Sequence, residues 1–181
     1  MIPPKTLSSQ GYATWLPAMM DCLLRTRGPV LEVGGGLWSP VLHAFCDRIR
    51  MLTTVETDPE WYGLMLSLAN PWHLVYAELP AGCSWDVALV DGPTAERQPM
   101  IEALRGRAKY IVVHDTQDGG YGWDFKGYTV SEWASLSPAT SVLSAVTDTP
   151  PTSEPAAAGQ TDLASESARG TPLSASPPAA E

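Results

Sequence analysis

The sequence predicts an α/β fold: a mainly parallel sheet with helices on both faces and an antiparallel hairpin near its C-terminal side. Three observations carry that expectation. Short apolar runs alternate with amphipathic stretches through residues 1–146, turn residues separate them, and the first apolar run ends in Gly34-Gly35-Gly36 ahead of a helix start.

The elements follow in order. Thr14 is expected to cap a helix reaching about Thr26, with Pro17 tolerated in its first turn. Residues 29–33 (PVLEV) read as the first strand, and Ser39 followed by Pro40 opens a helix to about Asp47, the hydroxyl serving as N-cap and proline as the first helical residue. Residues 51–56 form strand two, Asp58-Pro59 begins a helix to about Ala69, and strand three spans 72–77. The link from Glu78 to Ser84 is too short for an ordinary crossover helix, so either the fold is trimmed there or one strand is misplaced. Strand four spans 85–91, a helix follows near 95–106, and strand five covers 109–114. Phe125–Trp133 and Thr140–Val146 are the closing antiparallel pair.

Composition bounds the function. A chain of 181 residues supports one domain, and 44% hydrophobic residues with seven Trp supply a real core. The net charge of −9 and the lack of a basic run argue against an extended nucleic-acid surface. No window approaches a membrane span, and Cys22, Cys46 and Cys83 show no metal-ligand spacing. They read as reduced core residues of a soluble, cytoplasmic protein. Oligomeric state is not legible. The segment Thr147–Glu181 holds 35 residues, of which Ala, Ser, Thr and Pro make 24, and is expected to be a disordered acidic tail.

Ligands of an open parallel sheet bind at the carboxyl ends of its strands. There the glycine turn lets a ligand approach the backbone, and the following helix points N–H groups at it. Glu56 closes strand two 22 residues after Gly34, about the spacing at which an acid accepts from ribose hydroxyls. Glu32 would repel a pyrophosphate and attract a ligand carrying an ammonium and a sulfonium. With Glu56, Asp91 and Asp115 it gives the cleft a field suited to a cation.

These residues resemble the class I S-adenosylmethionine-dependent methyltransferases, whose Rossmann-like fold carries an acid before x-Gly-x-Gly and a second strand ending in an acid. Glu32-Val-Gly34-Gly-Gly36 and Glu56 match those motifs. The runs Glu56-Thr-Asp-Pro-Glu-Trp61, Asp91-Gly-Pro-Thr-Ala-Glu-Arg97 and Val112-Val-His-Asp-Thr116 look in detail like a group of small phage-type methyltransferases. The resemblance implies that Gly34, Gly35, Gly36 and Ser39 hold the amino-acid part of the cofactor, with Glu32 near its ammonium. It implies Glu56 on the ribose, Thr57 and Glu78 by the adenine, and Asp91 at the same cleft. Asp91 and Asp115 also resemble the two aspartates with which catechol O-methyltransferase-like enzymes hold a divalent cation such as magnesium. The Asn that follows the second aspartate there is Thr116 here, which weakens the match.

Methyl transfer from a sulfonium asks mainly for alignment and exclusion of water, and a hydroxyl acceptor also needs its proton removed. His114 and Asp115 are the catalytic candidates. Strand alternation sets them on opposite faces unless the strand has ended, and Asp91 has a plainer reading as a helix cap. Asp118–Trp123 reads as a loop beside the acceptor pocket, while Lys5, Arg97 and Lys126 read as solvated charges. A small-molecule acceptor fits a chain with no basic surface or second domain. Two rivals stand beside methyl transfer: an S-adenosylmethionine-binding accessory module without catalysis, and a nicotinamide-dependent oxidoreductase.

Overall fold

The computed structural model describes residues 13–117 and 122–145. Both the tail expected from Thr147 and residues 118–121 of the expected loop lie outside the described residues. The chain orders its elements as α1 (Leu16–Arg25), β1 (Val30–Val33), α2 (Ser39–Cys46), β2 (Leu52–Val55), α3 (Pro59–Leu66), β3 (His73–Tyr76), β4 (Trp85–Val90), α4 (Thr94–Ala103), β5 (Ala108–His114), β6 (Tyr128–Trp133) and β7 (Thr140–Ala145).

The strands form one sheet in the order β3-β2-β1-β4-β5-β7-β6. β1 to β5 are parallel, and β7 inserts antiparallel between β5 and β6. Both faces are covered, so the central strands are apolar on both sides. Val30, Val87, Leu89 and Val112 pack beneath Met19, Cys22 and Leu42 from α1 and α2. Leu31, Ala88, Val90 and Ile111 turn the other way, against Ile101 and Leu104 of α4 and its end. Successive residues thus alternate between two cores, as the strand period requires.

The missing crossover helix is a trimmed fold. Residues 77–84 pass from β3 at the sheet edge to β4, three strand positions away. The lateral offset is about 14 Å and the return from the end of β3 to the start of the parallel β4 adds about 13–20 Å, so eight residues, which reach about 27 Å when extended, have little slack and no length for a helix. Leu79 packs on the second core, and Arg107 donates to the carbonyls of Pro80 and Cys83 at 2.6 and 3.0 Å. Cys83 on this link is exposed, whereas the sequence reading placed all three cysteines in the core; Cys22 and Cys46 are buried.

Two expected caps are corrected. Asp58 does cap α3, accepting from the N–H groups of Glu60 and Trp61. Thr14 does not cap α1, because its hydroxyl donates to the Pro138 carbonyl at 2.7 Å, and α1 begins after Trp15 without a side-chain cap. Ser39 is the first residue inside α2, and its hydroxyl turns to Glu32 instead of to the helix N–H groups.

The sheet order reverses between β1 and β4, and the turns leaving these strands touch. Gly34 has φ of +89°, and a Cβ there would stand 2.5 Å from the backbone of Gly92. Gly34→Ala is therefore expected to lower stability by roughly 2–4 kcal/mol, combining left-handed strain with a backbone clash. A fall in the urea midpoint at unchanged m-value checks this.

Candidate functional site

A cavity of about 350 Å³ opens at the carboxyl ends of β1 and β4. Its polar wall is Glu32, Ser39, Asp91, Arg97 and Asp115, and the indoles of Trp15, Trp38 and Trp61 belong to its lining. Gly34, Gly35 and Gly36 form one side. Their glycine character has different causes. Gly34 must clear Gly92, and a Cβ on Gly35 would meet Met65 of α3 at 2.6 Å. Nothing lies within 4 Å of a Cβ built on Gly36, so no contact inside the described protein requires glycine there. It is the turn position left open at the cavity.

Glu32 sits inside the sheet, 2% exposed, in register with Thr54 of β2. Ser39 Oγ donates to Oε1 at 2.7 Å and accepts the Gly36 N–H at 2.8 Å, joining carboxylate, helix start and glycine turn. Thr54 Oγ1 bonds Oε2 at 2.8 Å and His73 Nε2 at 2.8 Å, and His73 Nδ1 meets His43 Nδ1 at 2.8 Å. With Glu32 ionised, the Thr54 proton goes to the carboxylate and His73 donates from Nε2. With Glu32 protonated, the same chain reverses. Burial pushes the Glu32 carboxyl up to about 7 against the pull of Ser39 and Thr54, and burial with neighbouring His43 pushes His73 down to about 4.

The second polar group gathers where β4 and β5 end. Asp115 has φ of +59°, so the strand has stopped at His114 and alternation no longer separates the two residues. Asp91 Oδ1 lies 2.8 Å from His114 Nδ1, and Asp115 Oδ1 lies 3.8 Å from His114 Nε2. Because the Thr14 hydroxyl gives its proton to Pro138, it accepts from His114 Nε2–H at 2.8 Å. Nδ1 faces Asp91 Oδ1 at 2.8 Å, so both ring nitrogens are engaged.

Arg97 of α4 closes the group. Its Nε donates to the Gly92 carbonyl at 2.6 Å and Nη1 to the His114 carbonyl at 2.9 Å. Nη1 reaches Asp115 Oδ2 at 3.2 Å and Nη2 reaches Asp91 Oδ1 at 3.4 Å. At 7% exposure Arg97 is no solvated charge, which corrects the sequence reading. Asp91 is not a helix cap either, since α4 starts after Pro93 with no side-chain cap.

The cavity thus brings together Glu32, Gly34, Gly35, Gly36, Ser39, Asp91 and Asp115. His114, 1% exposed with both ring nitrogens engaged, is not part of its lining. Glu56 is buried and likewise absent from the lining, with the N–H of the lining residue Gly35 bonded to it. Burial raises its pKa, opposed by hydrogen bonds from the N–H groups of Asp58, Gly35 and Thr57. Thr57 and Glu78 are exposed outside the lining, and Thr57 Oγ1 donates to Glu96 at 3.4 Å. Sequence reasoning missed Arg97, Trp15 and Thr14. Only Arg97 left a signal, its place six residues after the strand-end Asp91.

No family model and no curated protein matches the sequence. Solved structures do match. The cofactor-bound protein Rv0187 from MTB covers 78% of this chain and 82% of its own length at 15% identity, with a TM-score of 0.58. An O-methyltransferase from Bacillus cereus in complex with SAH covers 78% and 83% at 11% identity, TM-score 0.51. A methyltransferase from Geobacter sulfurreducens covers 75% and 77% at 11% identity, TM-score 0.51. The chain has the Rossmann-like methyltransferase fold. Among the described residues no helix is long and apolar enough to cross a membrane.

The Glu32 shift sets a pH dependence. Its folded pKa lies above the ordinary value of 4.5, so its stabilising contribution is complete below pH 4.5 and is lost as pH rises through about 7. His73 acts oppositely, contributing above pH 6.5 and losing that contribution as pH falls through about 4. Glu32→Gln should therefore be more stable than the wild type at pH 8, by roughly 3 kcal/mol or less, with the difference vanishing toward pH 4.5. Urea melts of both chains across that range measure it.

Proposed function

We propose that this chain binds S-adenosylmethionine over the β1 glycine turn and transfers its methyl group to a small-molecule acceptor, at a hydroxyl or an amine. One observation carries the reading: within a methyltransferase fold, the open position above Gly36 adjoins a buried, ionisable Glu32. S-adenosylmethionine supplies an electrophilic methyl on a sulfonium, so the protein needs to bind, align and keep water out. The finer likeness to small phage-type methyltransferases rests on the sequence motifs.

In this reading Gly34, Gly35 and Gly36 present backbone to the amino-acid part, and Glu32, braced by Ser39 and Thr54, faces the ammonium. Glu56 takes the ribose, with Thr57 and Glu78 toward the adenine. Trp15, Trp38 and Trp61 narrow the cavity against water. Asp115 accepts the acceptor hydroxyl proton as the O–CH3 bond forms and the C–S bond breaks, its electron pair returning to sulfur. An amine acceptor releases its proton by the same route. His114 is a positioning residue, holding Asp91 from behind. For magnesium the donor set is a poor host, because Arg97 already pairs with both carboxylates. The free cysteines agree with a reducing, cytoplasmic setting.

Calorimetric titration with S-adenosylmethionine, S-adenosylhomocysteine and NADH is the decisive experiment. The first two are expected to bind and NADH is not. Tighter binding of NADH would select the oxidoreductase, and a folded chain that binds neither adenosyl ligand would end the methyltransferase reading. Asp115→Asn should keep cofactor affinity within about threefold and lower turnover by about 10²–10⁴-fold in an acceptor screen. Binding without turnover in the wild type would favour the accessory module.

A further inference from the structure

We propose that the Arg97 guanidinium is the resident cation of this cleft, occupying the place between Asp91 and Asp115 where a divalent ion would otherwise sit, so that an oxygen acceptor is methylated without metal. The inference rests on the methyltransferase reading and assigns the cation at its acceptor end.

Asp91, His114 and Asp115 offer one ligand atom each within 4.8 Å of one another, which on distance alone is a metal-sized cluster. The charges say otherwise. The two carboxylates already have a cation between them, the Arg97 guanidinium, at 3.4 Å from Asp91 and 3.2 Å from Asp115. Arg97 is fixed there by more than those ion pairs. The carbonyls of Gly92 and His114 accept from Nε and Nη1, and at 7% exposure the side chain lies between the ends of β4 and β5. A dication at the same carboxylates would stand against a buried positive charge, a repulsion that a low-dielectric cleft strengthens. The neighbouring hydroxyl oxygen is already engaged, Thr116 Oγ1 accepting from Ser141 Oγ of β7 at 2.8 Å. His114 is a poor ligand for the same reason, with one nitrogen on Thr14 and the other on Asp91.

Arginine also supplies what an oxygen acceptor needs from a cation. Of its five N–H groups, four have the partners named above, and the remaining one on Nη2 belongs to a side chain lining the cavity. Donated to the acceptor oxygen, it holds that atom beside Asp115. The hydroxyl proton passes to Asp115 while the O–CH3 bond forms and the C–S electron pair returns to sulfur. The guanidinium stabilises the developing oxyanion, and nothing is oxidised or reduced.

Manganese binding tests the assignment without an activity assay. The full chain is titrated with Mn²⁺ alone, free ion being followed by electron paramagnetic resonance, as wild type, Arg97→Ala and Arg97→Ala/Asp115→Asn. The expected result is no saturable site in the wild type, one site gained in Arg97→Ala, and its loss in the double variant. A stoichiometric wild-type site abolished by Asp115→Asn would overturn the proposal, as would a folded Arg97→Ala chain that still binds no metal. If the alanine variant does not fold, Arg97→Gln, which keeps a donor for the Gly92 carbonyl, takes its place under the same criteria. S-adenosylhomocysteine titrations with and without EDTA separate the two readings. Absence of its binding tells against the cofactor, whereas binding that requires the metal tells against Arg97.

Discussion

A carboxyl group buried at the carboxyl end of the first strand is the constraint from which the cleft is built. Glu32 cannot stay ionised inside a sheet unless its oxygens are met by donors, and the structure meets both. That demand draws the Ser39 hydroxyl out of the capping role its sequence context suggested. It also recruits Thr54 from the neighbouring strand, with His73 and His43 behind it. The glycine turn is tied to the same point through the Gly36 N–H on Ser39. One polar atom set thereby decides where α2 begins and how the turn is held over the cavity.

A second constraint acts across the cleft, where two aspartates end neighbouring parallel strands. Left alone they would repel each other and any anionic ligand. Arg97, paired with both, offsets that repulsion locally, so the negative field of the cavity concentrates on the Glu32 side. The two ends of one pocket consequently have different electrostatic characters. A cationic ligand group is favoured near the glycine turn, and a polar, neutral group suits the Asp115 end. The left-handed Asp115 is central to this division, because only a strand that stops at His114 lets both residues join one cluster.

How much was legible can be judged from particular residues. Strand positions were readable because both core faces need apolar side chains at most central positions, and alternation kept Val30 and Leu31, or Leu89 and Val90, in separate cores. The glycine turn and Glu32 were readable because a strand end, a tight turn and a helix start are local events. Arg97 was not. A single charge on an amphipathic stretch is usually solvated, and its burial depends on Asp91 and Asp115 converging from different strands. Thr14 was mistaken for a cap for the same reason, since its partners His114 and Pro138 lie about a hundred residues away in the chain.

The sequence by itself determined the α/β class, the order of the elements and the glycine turn that ends the first strand. Those features follow from periodicity and backbone chemistry among neighbours in the chain. Tertiary structure decided which side chains serve the cavity and with what charge. It set β7 between β5 and β6, drew residues 77–84 across the sheet in place of a helix, and brought Arg97 between two carboxylates. The physical reason is that hydrogen bonding and Coulomb attraction depend on distance in space, and distances between strand ends exist only once the sheet has formed.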